Sequence, residues 1–292
     1  MIDFRHETFF YLCNLKSYTR TAEKLHMTQP AVTQHIKYLE KLYGGKLFLY
    51  TGKVLKLTDK GKKLYEYTQR LISDSQHMIE IVKNDKHIIN LSFGATLTIG
   101  EYIMPKLLIN IMNKRSDVQF NMLVENTQSL LEKLSEGQIQ FAVLEGYFDK
   151  SQYGFKLLKN EEFIGVCSAK SPLKEIKCQL GDLLDNRLIL REKGSGTRDI
   201  LEHLLVDKNM SKNSFKSIIE IGNMNAIKEL VKYDQGITFM YKSAVEQEIL
   251  NGDLCQIKIS DFNVLREFNF VFLRDSIFEG EYLQWFKSVL SE

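Results

Sequence analysis

The chain has 292 residues, 44% of them apolar and 26% charged, the make-up of a globular protein with room for more than one domain. No apolar run reaches membrane-span length, the start Met-Ile-Asp-Phe-Arg is unlike a secretion signal, and Cys13, Cys167, Cys178 and Cys255 form no Cys-x-x-Cys pair; this argues against a zinc site or disulfide framework and for a reducing, cytoplasmic setting with no membrane partner. The net charge of +2 hides an asymmetry: residues 1–62 hold eleven Lys and Arg against five Asp and Glu, so this piece is near +6 and the rest near −4, as suits a phosphate-binding module joined to one with another task.

Residues 17–40 read as two short helices joined by a tight turn. Ala22 and Leu25 face inward from the first, and Val32, Ile36 and Leu39 make one stripe on the second. Thr19 is the expected cap of the first helix and Thr28 of the second, while Pro30 falls in a first turn, where its missing N–H costs nothing. The outer face of the second helix carries Gln29, Thr33, Gln34 and Lys37, whose amide, hydroxyl and ammonium groups read base edges and grip phosphates. A dry inner face with a hydrogen-bonding outer face is what a helix-turn-helix needs to enter a major groove; an ordinary core hairpin is the alternative for this segment alone.

Leu47–Tyr50 and Val54–Leu57 are β-prone runs around the turn Thr51-Gly52-Lys53. A hairpin placed here is a wing, with Lys53 at its tip in reach of a phosphate or a minor groove. A long polar helix follows from Thr58 to about Asn84. Leu64, Leu71 and Met78 recur every seven residues with Tyr65, Ile72 and Ile79 beside them, which predicts a two-helix seam and a dimer. At about 1.5 Å per residue the rod is roughly 40 Å long, enough to hold two DNA-reading heads apart. Asn84-Asp85-Lys86 is the expected hinge.

One long gapless pattern runs through this half: Ser17-Tyr18-Thr19, Thr21-Ala22-Glu23-x-Leu25, Thr28-Gln29-Pro30-Ala31-Val32-Thr33, His35-Ile36-x-x-Leu39-Glu40, Gly44, Leu47-Phe48 and Leu57-Thr58-x-x-Gly61. It resembles the LysR-type transcriptional regulators. The resemblance implies Gln29, Pro30, Thr33, Gln34 and Lys37 as groove residues, with Lys53 on the wing. Three positions depart from the family pattern. Lys16 stands in place of the usual Gly, Tyr50 replaces an arginine and so removes one phosphate contact, and His35 stands where Gln is common and is expected to shift sequence preference.

From about residue 89 strands alternate with helices: strand 88–94, helix 99–113 with Pro105 early in it, strand 118–124, helix 129–136 and strand 139–144. This βαβαβ order argues for a parallel sheet with helices on both faces. A second series begins near Phe163, takes in 188–190, a helix from Thr197, 218–221, a helix from Asn225 and 237–240, and ends in strand 268–273 and helix 282–290, which return to the first subdomain. The family resemblance extends here and implies a two-lobed effector domain like a periplasmic binding protein, with Gln140 where the family has Asp. The expected architecture is therefore a multidomain α+β chain. It has a winged helix-turn-helix over 1–58, a linker helix and hinge over 59–86, and an effector domain over 87–292. Lobe I takes about 87–161 and 269–292, and lobe II about 162–268.

Gly194-Ser195-Gly196-Thr197-Arg198 follows a strand and opens a helix. Free first-turn amides, two glycines and two hydroxyls make an anion cradle, to which Arg198 or Arg191 adds charge. Ala95-Thr96-Leu97-Thr98 leads into a second helix and Asn223-Met224-Asn225 into a third, and such starts converge on the cleft of a two-lobed fold. The candidate effector residues are therefore Thr96, Thr98, Ser195, Gly196, Thr197, Arg198 and Asn223, and the expected ligand is a small anion, with no cofactor. The Arg-Glu-Lys-Gly-Ser-Gly-Thr-Arg stretch resembles regulators of cysteine and sulfur assimilation and of carbon fixation.

The resulting reading is a bacterial regulator that binds double-stranded promoter DNA as a homodimer or, by the resemblance, a homotetramer. An effector shifts the lobes and so changes DNA bending and contact with RNA polymerase. Two rivals stand beside it: an enzyme with a DNA-binding head, and a solute-binding module whose helix-turn-helix has lost its role. Against the enzyme, no nucleophile–base pair lies near the glycine loop, no Walker lysine motif occurs and the six His are scattered.

Overall fold

The computed structural model describes residues 3–83, 88–146 and 148–290. Asp3, Ser17 and Thr28 open three helices by accepting a first-turn backbone N–H on their side chains. These are α1 (Phe4–Leu15), α2 (Tyr18–Lys24) and α3 (Gln29–Leu42). Ser17, extended at φ −151°, caps α2, whereas the expected cap Thr19 lies inside the helix. Ile36 and Leu39 of α3 turn inward onto Phe9 and Leu12 of α1 and onto Leu47. The wing follows as β1 (Phe48–Thr51) and β2 (Val54–Leu57), paired antiparallel. Gly52 in its turn has φ +63°, where a side chain would be strained. Lys60 closes the C-terminal end of α3 by donating to the carbonyls of Tyr43 and Gly44 at 3.1 and 2.8 Å.

The linker helix α4 (Asp59–Lys83) follows the expected span, but its apolar stripe is not one seam. Leu64 and Tyr65 pack into the head's own core, because the helix leaves the wing directly over α1. Further along, buried Gln69, Ser73 and His77 dock on lobe I: Gln69 donates to the Ser135 hydroxyl at 3.1 Å, Asp74 accepts from the Ser276 hydroxyl at 2.5 Å, and His77 lies 3.2 Å from the Tyr282 hydroxyl. Met78, Ile79, Ile81 and Val82 remain exposed. The expected hinge at 84–86 lies outside the described residues.

The effector half opens with β3 (Ile89–Ala95), a π-helical turn (Ile99–Ile103) and α5 (Met104–Lys114). Pro105 sits at the second residue of α5 and so starts the α-helix that the sequence placed five residues earlier. Then come β4 (Val118–Val124), α6 (Thr127–Ser135), β5 (Phe141–Glu145) and β6 (Tyr153–Ser168). Lobe II adds β7 (Lys177–Cys178), β8 (Arg187–Leu190), α7 (Gly196–Asp207), β9 (Ser217–Glu220), α8 (Met224–Lys232), β10 (Thr238–Tyr241), α9 (Glu246–Leu250), β11 (Leu254–Gln256) and β12 (Lys258–Ile259). The chain returns through β13 (Val264–Leu273) and ends in α10 (Glu279–Leu290).

β3 runs parallel to both β4 and β5, as the βαβαβ order requires. Next to β5 stands β13, antiparallel, and next to β13 stands β6, so the sheet order is β10-β6-β13-β5-β3-β4 with β11 also on β6. β6 and β13 are paired over ten positions, from Val264 opposite Phe163 to Leu273 opposite Tyr153, and they cross from one lobe to the other. A register shift between Phe268 and Asn269 falls within this crossing. The core beneath is aromatic, with Phe141 stacked between Phe93 and Phe270 at 5.2 and 4.4 Å. Among the described residues no helix is long and apolar enough to cross a membrane.

Candidate nucleic-acid interface and effector cleft

α3 presents the groove candidates on one side of the head. Gln29, Pro30, Gln34 and Lys37 are exposed, and Thr33 is half-buried with its hydroxyl donating to the Gln29 carbonyl at 3.1 Å. The opposite face holds fully buried Val32 and Leu39. Lys53 is exposed at the wing tip and Tyr50 stands out on the same hairpin. His35, expected to shift sequence preference, is half-buried between α3 and α1. Its Nδ1 lies 2.9 Å from the Thr8 hydroxyl and its ring packs edge-on to Phe4, so it ties α3 to α1, and burial lowers its pKa.

A cavity of about 220 Å³ separates the lobes. Lobe I contributes Thr96, Glu125, Asn126, Thr127 and Glu145, and lobe II contributes Arg191, Glu192, Ser195, Gly196 and Gly222. The residues come from strand ends and helix starts: β5 ends at Glu145, Asn126 caps α6, and Ser195 is the N-cap position of α7. A larger hollow of about 640 Å³ lies under α4 beside His77, Arg115 and Trp285, away from these facing ends.

Of the predicted effector residues, Thr96, Ser195 and Gly196 line the cavity. The other four stand behind it. Thr98 is fully buried and donates to Glu145 Oε1 at 3.3 Å. Thr197 is buried at the second position of α7. Asn223 caps α8 by accepting from the Ala226 N–H at 2.9 Å. Arg198 turns away: it sits one turn before Glu202 and pairs with it at 2.7 Å, with Glu220 at 2.6 Å, and donates to the Arg191 carbonyl at 3.2 Å. Its charge is spent within lobe II, which corrects the expectation that it faces a ligand.

Arg191 is also committed, forked onto Glu192 through two 2.7 Å bonds. Glu125 accepts from the Ser129 hydroxyl and lies 3.5 Å from Lys133. Glu145 is different. It is 3% exposed, and burial pushes its carboxyl up to about 8. Among the described residues nothing hydrogen-bonds Glu145 Oε2 or the Thr96 hydroxyl. No group of His, Cys, Asp and Glu suited to a metal occurs among the described residues.

A bacterial regulatory helix-turn-helix domain of the lysR family matches residues 5–62, and a LysR substrate binding domain matches residues 90–292. The chain belongs to the LysR family. It is a DNA-binding transcription regulator with an effector-binding domain. It is 27% identical over 270 residues to the HTH-type transcriptional regulator CysL of Bacillus subtilis, covering 91% of this chain and 89% of CysL. Its fold matches an OxyR C206 mutant of Corynebacterium glutamicum with a TM-score of 0.63 at 22% identity, over 98% of this chain and 89% of that one. It also matches the regulatory domain of Synechocystis PCC6803 CcmR, solved in complex with 2-PG, with a TM-score of 0.61 at 19% identity, over 70% of this chain and 98% of that one.

Against this LysR frame, the sequence reading missed Glu145. The signal was present: an acidic residue ends the otherwise apolar run Phe141-Ala142-Val143-Leu144. A charge at the mouth of a buried parallel strand is a site signal, because an ordinary core strand has no use for it.

Proposed function

We propose that this LysR-type regulator binds promoter DNA through α3 and the wing, and that a small anionic effector held between its lobes changes how the heads are presented. Gln29, Pro30, Thr33 and Gln34 read the major groove, and Lys37 and Lys53 contact phosphates. The observation that carries the reading is the exposed hydrogen-bonding face of α3 on a head with an excess of six positive charges. The exposed Met78, Ile79, Ile81 and Val82 on α4 support pairing of two chains through the linker, and effector-domain pairing makes tetramers.

That the CcmR regulatory domain was solved in complex with 2-PG supports a small effector for this domain, and the helix start at Ser195 and Gly196 favours an anion in the cleft. The effector acts only through its different affinity for the two arrangements of the lobes, and the shift alters DNA bending and contact with RNA polymerase. DNA as the target places the protein in the cytoplasm. The test is a footprint of the DNA upstream of its own gene, with and without a panel of metabolite anions. A protected site whose length changes with one anion is expected. Protection that no anion alters, together with unchanged effector binding in Ser195→Ala and Thr98→Ala by calorimetry, overturns the effector half of the reading.

A further inference from the structure

α7 is twelve residues long and its first turn opens on the inter-lobe cavity at Ser195 and Gly196. A Cβ on Gly196 would meet nothing within 4 Å, and the Ser195 side chain makes no cap hydrogen bond to the first turn, whose amides, like those of any helix start, have no partner within the helix. Thr96 and Glu145 line the same cavity of about 220 Å³ from lobe I, each 3% exposed, and among the described residues the Thr96 hydroxyl and Glu145 Oε2 have no hydrogen-bond partner. Every other charge around the cavity has a partner: Arg191 with Glu192 from the loop after β8, and Glu125 with Lys133 beyond the end of β4. Thr98, just before the π-helical turn, occupies Glu145 Oε1 only. The cavity therefore holds one helix start that favours an anion and one lone carboxyl that, if ionised, would repel it.

We propose that the cleft takes a compact oxyanion together with one proton carried on Glu145, whose carboxyl O–H donates to one anion oxygen while the first-turn amides of α7 and the Thr96 hydroxyl hold the others. This rests on the cleft being the effector site, as argued above. The proton comes from solvent, and no bond other than that O–H changes. Burial keeps the proton on Glu145 to near pH 8 without ligand, against the smaller pulls of the Thr98 hydrogen bond and of the Arg191 charge toward ionisation, and a bound anion holds it longer. Glu145 is thus a specificity residue: it selects fully ionised oxyanions at neutral pH and loses them in alkali. A ligand bearing an ammonium group makes the opposite demand, an ionised Glu145.

Sulfate is the probe, because its own charge does not change between pH 6 and 9. Calorimetry of the full chain is run in buffers of differing ionisation heat. The expected result is sulfate affinity that is flat at pH 6–7, falls toward tenfold per pH unit above pH 8, and shows proton uptake approaching one per anion at pH 9. Glu145→Gln, isosteric and always neutral, should bind at pH 9 as the parent does at pH 6, with no proton uptake. Thr96→Val should weaken sulfate at every pH. Loss of sulfate binding in Glu145→Gln at all pH values overturns the proposal, since it shows that the ionised carboxylate is needed. Sulfate binding that is weakened by Thr96→Val but indifferent to pH overturns the proton and leaves the cleft. Binding insensitive to both substitutions, or no sulfate binding at any pH, overturns the anion cleft itself.

Discussion

Replacing Glu145 by Gln should make the effector domain more stable at neutral pH, and by an amount that depends on pH. In the folded chain the carboxyl is held at about 8, against an ordinary 4.5. A raised carboxyl contributes its full stability below pH 4.5, loses it steadily as pH rises, and levels off once pH passes about 8. At about 1.4 kcal/mol per tenfold change, the parent gives up ~3 kcal/mol between pH 4.5 and pH 7. Gln does not titrate, so it escapes this loss, and the fixed cost of burying its amide cancels when the two proteins are compared at two pH values. At roughly 2–4 °C per kcal/mol, the gap in melting temperature between variant and parent should widen by about 10 °C from pH 4.5 to pH 7. The assay is thermal unfolding of both proteins across this range in buffer free of sulfate and phosphate, followed by a probe in the effector domain because a multidomain chain need not melt as one unit. Parallel curves would refute the reasoning, since they would mean that Glu145 ionises in the folded state as easily as in the unfolded one.

Three further outcomes follow from other parts of the molecule. Lys53→Ala should weaken binding to all DNA sequences alike and lower the salt slope of log K by about 1, read by fluorescence anisotropy in a salt series; a change in sequence preference without a change in slope would move Lys53 off the phosphates. Arg198→Leu should destabilise lobe II by about 2 kcal/mol, by removing the shared partner of Glu202 and Glu220, while leaving sulfate affinity within twofold; a large loss of sulfate affinity would return Arg198 to the ligand. Gly137→Ala should loosen the linker from lobe I. Gly137 has φ +71°, and a Cβ there would lie 2.8 Å from the Ser73 Cα, so hydrogen exchange in α4 should rise; unchanged protection would show that the helix is held elsewhere.

The head was legible in the sequence because its rules are local. Thr28, Pro30 and the Val32-Ile36-Leu39 stripe define α3 within its own fourteen residues and the one before them. The choice between Ser17 and Thr19 as cap depended on which hydroxyl sits at an extended residue, and composition does not show that. The heptad positions of α4 were real, but periodicity names a face and not the partner it meets, and here Leu64 meets the head while His77 meets lobe I. β6 was longer than expected because its middle, Lys159-Asn160-Glu161-Glu162, is polar; that stretch is the crossing between lobes, where β13 and not a hydrophobic layer holds it. In the cleft, Ser195 and Gly196 were visible as a helix start. Glu145 carried a signal, an acidic end to an apolar strand, but its role was not legible, since that depends on the sheet bringing the end of β5 opposite α7. The turning away of Arg198 was legible after all: Glu202 stands four residues on, on the same helical face.

The central claim is that α3 reads sequence while the rest of the charged head supplies affinity. The most direct measurement compares binding of the full chain to its own promoter duplex and to a random duplex of equal length, over a range of salt, for the parent and for Gln29→Ala with Thr33→Ala. The parent should prefer its promoter with a steep salt dependence, and the double variant should keep the salt dependence and lose the preference, by about tenfold or more if each contact carries ~1 kcal/mol or more. A double variant that still picks out the promoter, or a parent that never does, would contradict the account.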